Sequence, residues 1–331
     1  MVLDMSAVLE ASGLTKRFGN TAAVDGLSLS VAGGEIFGLV GPDGAGKTTA
    51  MRLLTGVMSA TAGSATVLGV DVIREPEAIR HRIGYVPQSS SLYADLTAME
   101  NLRFYADLFG VPRAERNRRA QELLALSRLT PFASRLARNL SGGMRQKLAL
   151  CAALIHNPEV LFLDEPTIGV DPVSRRDFWL LIYQLLQQGL TLMVSTPYLD
   201  EAERCHRVGL MDRGRLVACD APSALRRLLP GSLLELRGVP ADAARGILAR
   251  LSEVREVEVF GETLHLSVGE AGAALPAIRA ALDRAGIRDA ALRPILPSLE
   301  DVFIAVLHQG SRRERAAAPP HGTSGPQGGP A

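Results

Sequence analysis

The residues Gly41-Pro42-Asp43-Gly44-Ala45-Gly46-Lys47-Thr48-Thr49 fit G-x-x-x-x-G-K-[ST], the pattern of a phosphate-binding loop. Gly41, Gly44 and Gly46 lack a Cβ, so the backbone can turn left-handed there and aim N–H groups at phosphate oxygens. Lys47 adds a mobile point charge for β and γ phosphates, and the Thr48 hydroxyl can ligate Mg²⁺. In front of the loop, Ile36 to Val40 reads as a short buried strand; behind it, Thr49 to Leu54 reads as a helix. A helix N-terminus presents partial positive charge to an anion, so strand, loop and helix are the context the motif requires. Of 36 basic residues only Lys16, Lys47 and Lys147 are lysines. A crowded glycine loop admits a compact ammonium where a planar guanidinium does not fit.

Further along the chain, other residues could share that chemistry. In Leu140-Ser141-Gly142-Gly143-Met144, Ser141 is a good helix N-cap, and the two glycines expose helix-start N–H groups, giving a second anion seat. Val160 to Glu165 is an apolar strand ending in two acids, of which Asp164 would hold Mg²⁺ and Glu165 would polarise an attacking water. Gln88 ends the strand-like stretch from Ile83 and is uninformative alone. Phe18 sits among polar residues, Lys16-Arg17-Phe18-Gly19, and reads either as an exposed ring for a purine or as an ordinary hydrophobic anchor.

The elements that must position these residues follow from the rest of the chain. At 331 residues there is room for a large core and a second, smaller domain. The net charge is +1, so no global field recruits nucleic acid, and no apolar run reaches the roughly 18–20 residues of a membrane span. Met1 to Glu10 is no signal peptide, and Cys151, Cys205 and Cys219 form no C-x-x-C pair; a reduced, cytosolic chain without a cysteine metal site is expected. Val8 to Val31 is β-rich. Residues 89–140 read as helical: Met99, Leu102, Phe104, Tyr105 and Leu108 form an apolar face, and Arg113 to Leu126 carries a solvated charged face. A helix from Asp171 to Gln188 and a strand from Leu190 to Val194 come next. Asp200, Glu201 and Glu203 then fall at a helix start, and Val208–Met211 with Leu216–Ala218 form a strand pair. From Ser232 the pattern is β-α-β-β-α-β, ferredoxin-like, closed by a helix from Ser298 to Leu307, with a disordered tail expected beyond Gly310.

Taken together, the motifs from Val8 to Leu229 resemble the nucleotide-binding subunit of an ABC transporter. The resemblance implies an α/β P-loop NTPase of ABC type over 8–229, with a mixed β core and a helical subdomain at about 89–140. A small ferredoxin-like α+β domain at 232–308 and a tail at 310–331 would complete the chain. It implies ATP and Mg²⁺ as cofactors. Phe18 would stack on adenine, and Gln88 would contact Mg²⁺ and relay to the permease. Leu140 to Met144 would be the signature segment, with Asp164 the metal-binding aspartate and Glu165 the catalytic glutamate. Asp171 would lie in the loop that crosses to the other subunit. Two subunits, identical or not, would clasp ATP head to tail on the cytoplasmic face of the membrane and drive ABC-2 type permease subunits. Leu92 to Phe109 would receive the permease's coupling helix. Pro297-Ser298-Leu299-Glu300-Asp301-Val302-Phe303 is similar to the daunorubicin-resistance type of drug exporter. Two positions depart from the family. Pro197 stands where His is usual and has no side-chain polar group, which implies a slow site, with Tyr198 or a partner subunit as possible rescue; His206 is expected well into the following helix. Asp43 stands where Asn is commoner. The alternatives are a regulatory protein that dimerises on ATP with little hydrolysis, and a soluble ABC ATPase acting on nucleic acid or ribosomes.

Overall fold

The structure, a computed structural model, describes residues 4–317 apart from 90 and 288–289. The chain divides into two units between Leu225 and Arg226.

The first unit opens with β1 (Asp4–Phe18) and β2 (Thr21–Gly33), paired antiparallel around a turn at Gly19 and Asn20. There follow β3 (Ile36–Val40), α1 (Lys47–Leu54), β4 (Ala62–Val67), β5 (Val70–Asp71), α2 (Pro76–Ile79) and β6 (Ile83–Val86). Next come α3 (Ala98–Leu108), α4 (Arg113–Leu126), α5 (Gly142–Leu154), β7 (Val160–Asp164), α6 (Pro172–Gln187), β8 (Thr191–Thr196) and α7 (Leu199–Ala202). The strands β9 (Arg207–Asp212) and β10 (Arg215–Asp220) and the short α8 (Pro222–Arg226) complete it.

Two sheets result. In β2 the side chains alternate, with Leu27, Leu29 and Val31 buried and Ser28 and Ser30 exposed, as a strand wet on one face requires. It belongs to an antiparallel sheet of order β2-β1-β4-β5. By contrast β3, β7 and β8 are buried at every residue and lie inside a sheet of order β10-β9-β3-β8-β7-β6. There β6, β7, β8, β3 and β9 run parallel, so Val86, Asp164, Thr196 and Val40 end on one edge. Everything the sequence marks as chemical on these strands is delivered to that edge. Leu9, Leu14, Leu27, Phe37, Leu39, Met51, Leu54 and Phe162 form the core between the sheets and α1.

The helical segment differs from its sequence pattern. Leu102 is buried, but Phe104 is 37% and Leu108 is 63% exposed, and the face of α3 that packs inward is Ala98, Asn101, Leu102 and Ala106. Buried Asn101 is tolerated because its amide donates to the carbonyls of Tyr93, Leu96 and Thr97 and accepts from the Tyr93 N–H. Three arginines of α4 are paired: Arg116 meets Asp107 at 2.6 Å, Arg118 meets Glu122 at 2.8 Å, and Arg119 meets Glu115 at 3.1 Å.

The second unit contains β11 (Ser232–Arg237), α9 (Ala241–Leu248), β12 (Val254–Phe260), β13 (Thr263–Val268), α10 (Ala271–Arg284), β14 (Ala291–Ile295) and α11 (Leu299–Ala317). Its sheet is antiparallel, of order β12-β13-β11-β14, with the hairpin partner β13 inserted between β12 and β11. Leu234, Leu236, Leu264, Leu266, Ile278 and Leu282 fill the core. Ser298 caps α11, accepting from Asp301 N at 3.2 Å. α11 corrects the expected boundary at Gly310: the backbone stays helical to Ala317, because Gly310 alone does not break a segment otherwise made of good helix formers. The rest of the expected tail, 318–331, lies outside the described residues.

Candidate functional site

Between β3 and α1 the chain wraps a cavity of about 320 Å³ whose lining includes Asp43, Lys47, Thr48, Thr49, Gln88 and Glu165. Gly46 caps α1 at φ 101°, and a Cβ there would lie 2.2 Å from the Ala23 carbonyl oxygen, so only glycine fits. Lys47 is 3% exposed, and its Nζ donates to the carbonyls of Gly41 at 2.8 Å and Pro42 at 3.0 Å. The same Nζ pairs with Glu165 Oε1 at 2.9 Å. Gly41, Pro42 and Ala45 shape the loop from outside the cavity lining; Pro42 and Asp43 are exposed.

The two acids differ in surroundings. Asp164 Oδ1 accepts from Ser195 Oγ at 2.6 Å and Thr48 Oγ1 at 3.1 Å, and Oδ2 accepts from the Tyr85 hydroxyl at 3.2 Å. Burial, together with the Asp164 charge, pushes the Tyr85 phenol up to about 12, which keeps it a donor. The sequence pattern places Glu165 at the strand end. In the structure β7 stops at Asp164, and Glu165 takes a left-handed step at φ 49°. Consecutive strand residues point to opposite faces; this step cancels the alternation, so that one acid reaches Thr48 and the next reaches Lys47. Such a conformation costs a non-glycine residue on the order of 1–2 kcal/mol. It is held by the Glu165 N–H, which donates to Ser195 O at 3.1 Å and Ser195 Oγ at 3.0 Å. Gln88 Nε2 completes the arrangement, donating to Glu165 Oε2 at 2.7 Å.

Other predicted residues stand outside this cavity. Ser141 caps α5 through its Oγ, which accepts from Met144 N at 3.3 Å; neither it nor Gly142, Gly143, Asp171 or Phe18 lines the cavity. A Cβ on Gly143 would meet Ser174 Cβ at 2.4 Å, so the start of α5 lies directly against the start of α6. Asp171 is the exposed N-cap of α6; the hydrogen bond from Ser174 N, at 2.9 Å, leads the interactions that hold its carboxyl below the usual range. Phe18 is 52% exposed, with Lys16 Nζ 5.3 Å from its ring centroid.

At Pro197 the structure sharpens one expectation and corrects another. Tyr198 places its ring 4.3 Å from the Arg175 guanidinium and is not among the cavity's lining residues. His206 is not within a helix. It precedes β9, with Nδ1 accepting from Ile36 N at 3.0 Å and its own N–H donating to Ile36 O at 2.9 Å. That contact is at the start of β3, the opposite end from the phosphate loop. Sequence reasoning missed Ser195 and Tyr85, which orient Asp164; the usable signal was a hydroxyl at the end of the apolar β8, paired in register with Asp164.

A parallel sheet whose C-terminal edge carries a phosphate loop and strand-end acids defines a P-loop nucleotide-binding fold. The family model described as ABC transporter matches residues 24–168. A daunorubicin resistance ATP-binding protein of Streptomyces coeruleorubidus is 38% identical over 94% of this chain and 97% of its own length. A Nod factor export ATP-binding protein of Paraburkholderia xenovorans is 40% identical over 90% of this chain and 96% of its own. A probable multidrug ABC transporter ATP-binding protein of Escherichia coli is 42% identical over 91% of this chain, which spans only 52% of that relative. Among solved structures, the ATP-binding subunit of an ABC transporter superposes with a TM-score of 0.61 at 30% identity, covering 67% of this chain and 92% of that one. A dimeric ATP-binding cassette in a post-hydrolysis state bound to ADP and Pi gives 0.60 at 26% identity, covering 64% and 98%. The chain belongs to the ATP-binding proteins of ABC transporters.

Proposed function

We propose that this chain binds and hydrolyses Mg·ATP and couples the closure of two such subunits to export of a drug-like or lipid-like substrate through a separate ABC-2 type permease. The observation that carries the reading is the clustering of Lys47, Glu165, Thr48 and Gln88 around one cavity, with Asp164 hydrogen-bonded to Thr48, while the Ser141 helix start stands outside it. In the proposed roles, Lys47 and the loop N–H groups bind the phosphates and Phe18 stacks on adenine. The oxygen donors Thr48 and Asp164, 3.1 Å apart, fit the hard Mg²⁺ ion, with Gln88 as a third ligand. The ion would neutralise phosphate charge. Glu165, freed from Lys47 by the phosphates, takes the proton of the attacking water. Ser141, Gly142 and Gly143 would close on the nucleotide of a second subunit, with Asp171 crossing beside them.

Two features support a slow site. Pro197 offers no hydrogen-bond donor, and Tyr198 is engaged with Arg175. A regulatory role, with ATP gluing a dimer and little turnover, is the second reading that Pro197 favours. Nucleic-acid binding is disfavoured by the paired arginines of α4. We assign 8–229 to the cassette, with its helical subdomain at about 89–140, and 232–308 to a ferredoxin-like accessory domain. No helix among the described residues is long and apolar enough to cross a membrane, which suits a peripheral subunit on the cytoplasmic face. The test is co-purification with a membrane permease followed by vanadate-sensitive ATPase measurement on the complex. Phosphate release that the permease stimulates supports export coupling. ATP-driven dimerisation without release supports the regulatory reading.

A further inference from the structure

Glu201 lies on the single turn α7, at the helix start that the sequence predicts, where an acid ordinarily faces solvent. Its side chain has no exposed surface. Burying a carboxylate is tolerated only where donors replace water, and here they come from two separate loops. Glu201 Oε2 accepts from Thr196 Oγ1 at 2.8 Å, and that hydroxyl in turn accepts from Tyr198 N at 3.0 Å. One oxygen therefore braces the chain on both sides of Pro197. Oε1 accepts from the Thr167 hydroxyl and from Trp179 Nε1 at 3.2 Å, and Arg175 Nε lies 3.7 Å away. Thr167 is two residues beyond Glu165, in the connection to Asp171; Trp179 and Arg175 belong to α6. Thr196 also accepts, through its carbonyl, from the N–H of Gly41 at 3.4 Å. Glu201 touches none of the residues around the phosphate cavity except through these threonines.

We propose that Glu201 is a positioning residue for hydrolysis: its two carboxylate oxygens hold the Pro197 turn and the Glu165–Asp171 connection at one fixed separation. The inference rests on the ATPase reading above. Pro197 has no side-chain hydrogen bond of its own, so the turn it sits in depends on Thr196 and Tyr198 for its place. Because Thr167 is so close in sequence to Glu165, loosening it also loosens the left-handed step that aims Glu165 at Lys47.

The test is steady-state ATPase activity and equilibrium Mg·ATP binding of the full chain carrying Thr167→Val, Thr196→Val, Glu201→Asp, Glu201→Gln or Glu201→Ala. Misplacing a reacting group by about 1 Å can cost on the order of 100-fold. Glu201→Ala and Glu201→Asp, which cannot reach both loops, are therefore expected to lower kcat roughly 10- to 100-fold, with KM and Mg·ATP affinity little changed. Glu201→Gln keeps an oxygen for Thr167 and Trp179 and an N–H for the Thr196 hydroxyl, and should recover most of the loss. Each threonine variant should slow the wild type yet add nothing to Glu201→Ala. If Glu201→Ala does not fold, the near-isosteric threonine variants carry the test. Turnover in Thr167→Val, Thr196→Val and Glu201→Asp equal to a turning-over wild type overturns this inference alone. A wild type that binds Mg·ATP but releases no phosphate, alone or with its permease, overturns the ATPase reading and this inference with it.

Discussion

The two proposed anion seats of the cassette use the same backbone device and differ in everything else. Both put glycines and N–H groups that lack a partner within the helix at a helix start, at Gly46 before α1 and at Ser141 before α5. The first is surrounded by its own chemistry: a buried lysine, Glu165 and a glutamine line its cavity, and Asp164 is hydrogen-bonded to Thr48 beside it. The second has a single hydroxyl, spent on Met144 N, and no acid or lysine hydrogen-bonded to it among the described residues. A helix terminus is thus a generic attractor of anions; reaction chemistry needs strands that deliver acids to the same edge. On the proposed reading, one seat does the chemistry and the other completes it in a second subunit.

That contrast can be broken most severely at Lys47. Replacing it by Ala leaves Glu165 buried without its cation, a loss of about 3–5 kcal/mol when one partner of a buried pair is removed. Mg·ATP binding measured by calorimetry should fall below detection. Glu165→Gln should separate binding from chemistry: affinity is kept, while phosphate release falls by roughly 10²–10⁴-fold, the worth of a general base. Ser141→Ala then probes the other seat. Binding to the isolated chain should be unchanged, whereas turnover drops roughly tenfold, the value of one hydrogen bond to a charged group; a loss of monomer affinity would mean the two seats are one site. Pro197→His should raise turnover, by up to about 10²-fold if the missing contact is a transition-state one; an unchanged rate would show that the site has another solution.

The smallest effect lies outside both seats and checks that they are separable from the accessory unit. Arg237 and then Arg293, each 2.7 Å away, pull the Glu235 carboxyl down to about 2. A carboxyl whose folded value lies below its ordinary one of about 4.3 stabilises the fold above that value and loses the contribution as pH falls. Acid unfolding of the second unit should therefore steepen between about pH 5 and pH 2. Glu235→Gln should flatten that limb in thermal unfolding curves and leave Mg·ATP binding at pH 7 unaltered.

Much of this was legible in the sequence, for reasons that differ by element. The phosphate loop is legible because steric crowding leaves glycine no substitute, and β3 and β7 because strands buried on both faces must be continuously apolar. α4 runs from Arg113 to Leu126, as its periodicity predicts. Burial direction was harder. Met99, Leu102 and Tyr105 pack against the core as their spacing predicts, but Phe104 and Leu108 share that spacing and are exposed, while Ala98, Asn101 and Ala106 are buried. Glu201 does fall at a helix start, as its sequence context predicts, but its burial was not legible: a local rule about acids at helix starts cannot see donors arriving from residues 167 and 179. The left-handed step at Glu165 was invisible too, since nothing in its residue type announces it.

The near-contact between Gly143 and Ser174 has a mechanical corollary. With the beginnings of α5 and α6 separated by less than the thickness of a methyl group, any side chain at residue 143 would push the two helix starts apart. On the proposed reading, in which both segments meet a second subunit, that subunit would find the Ser141 loop and the Asp171 turn already side by side, held together by an absent side chain.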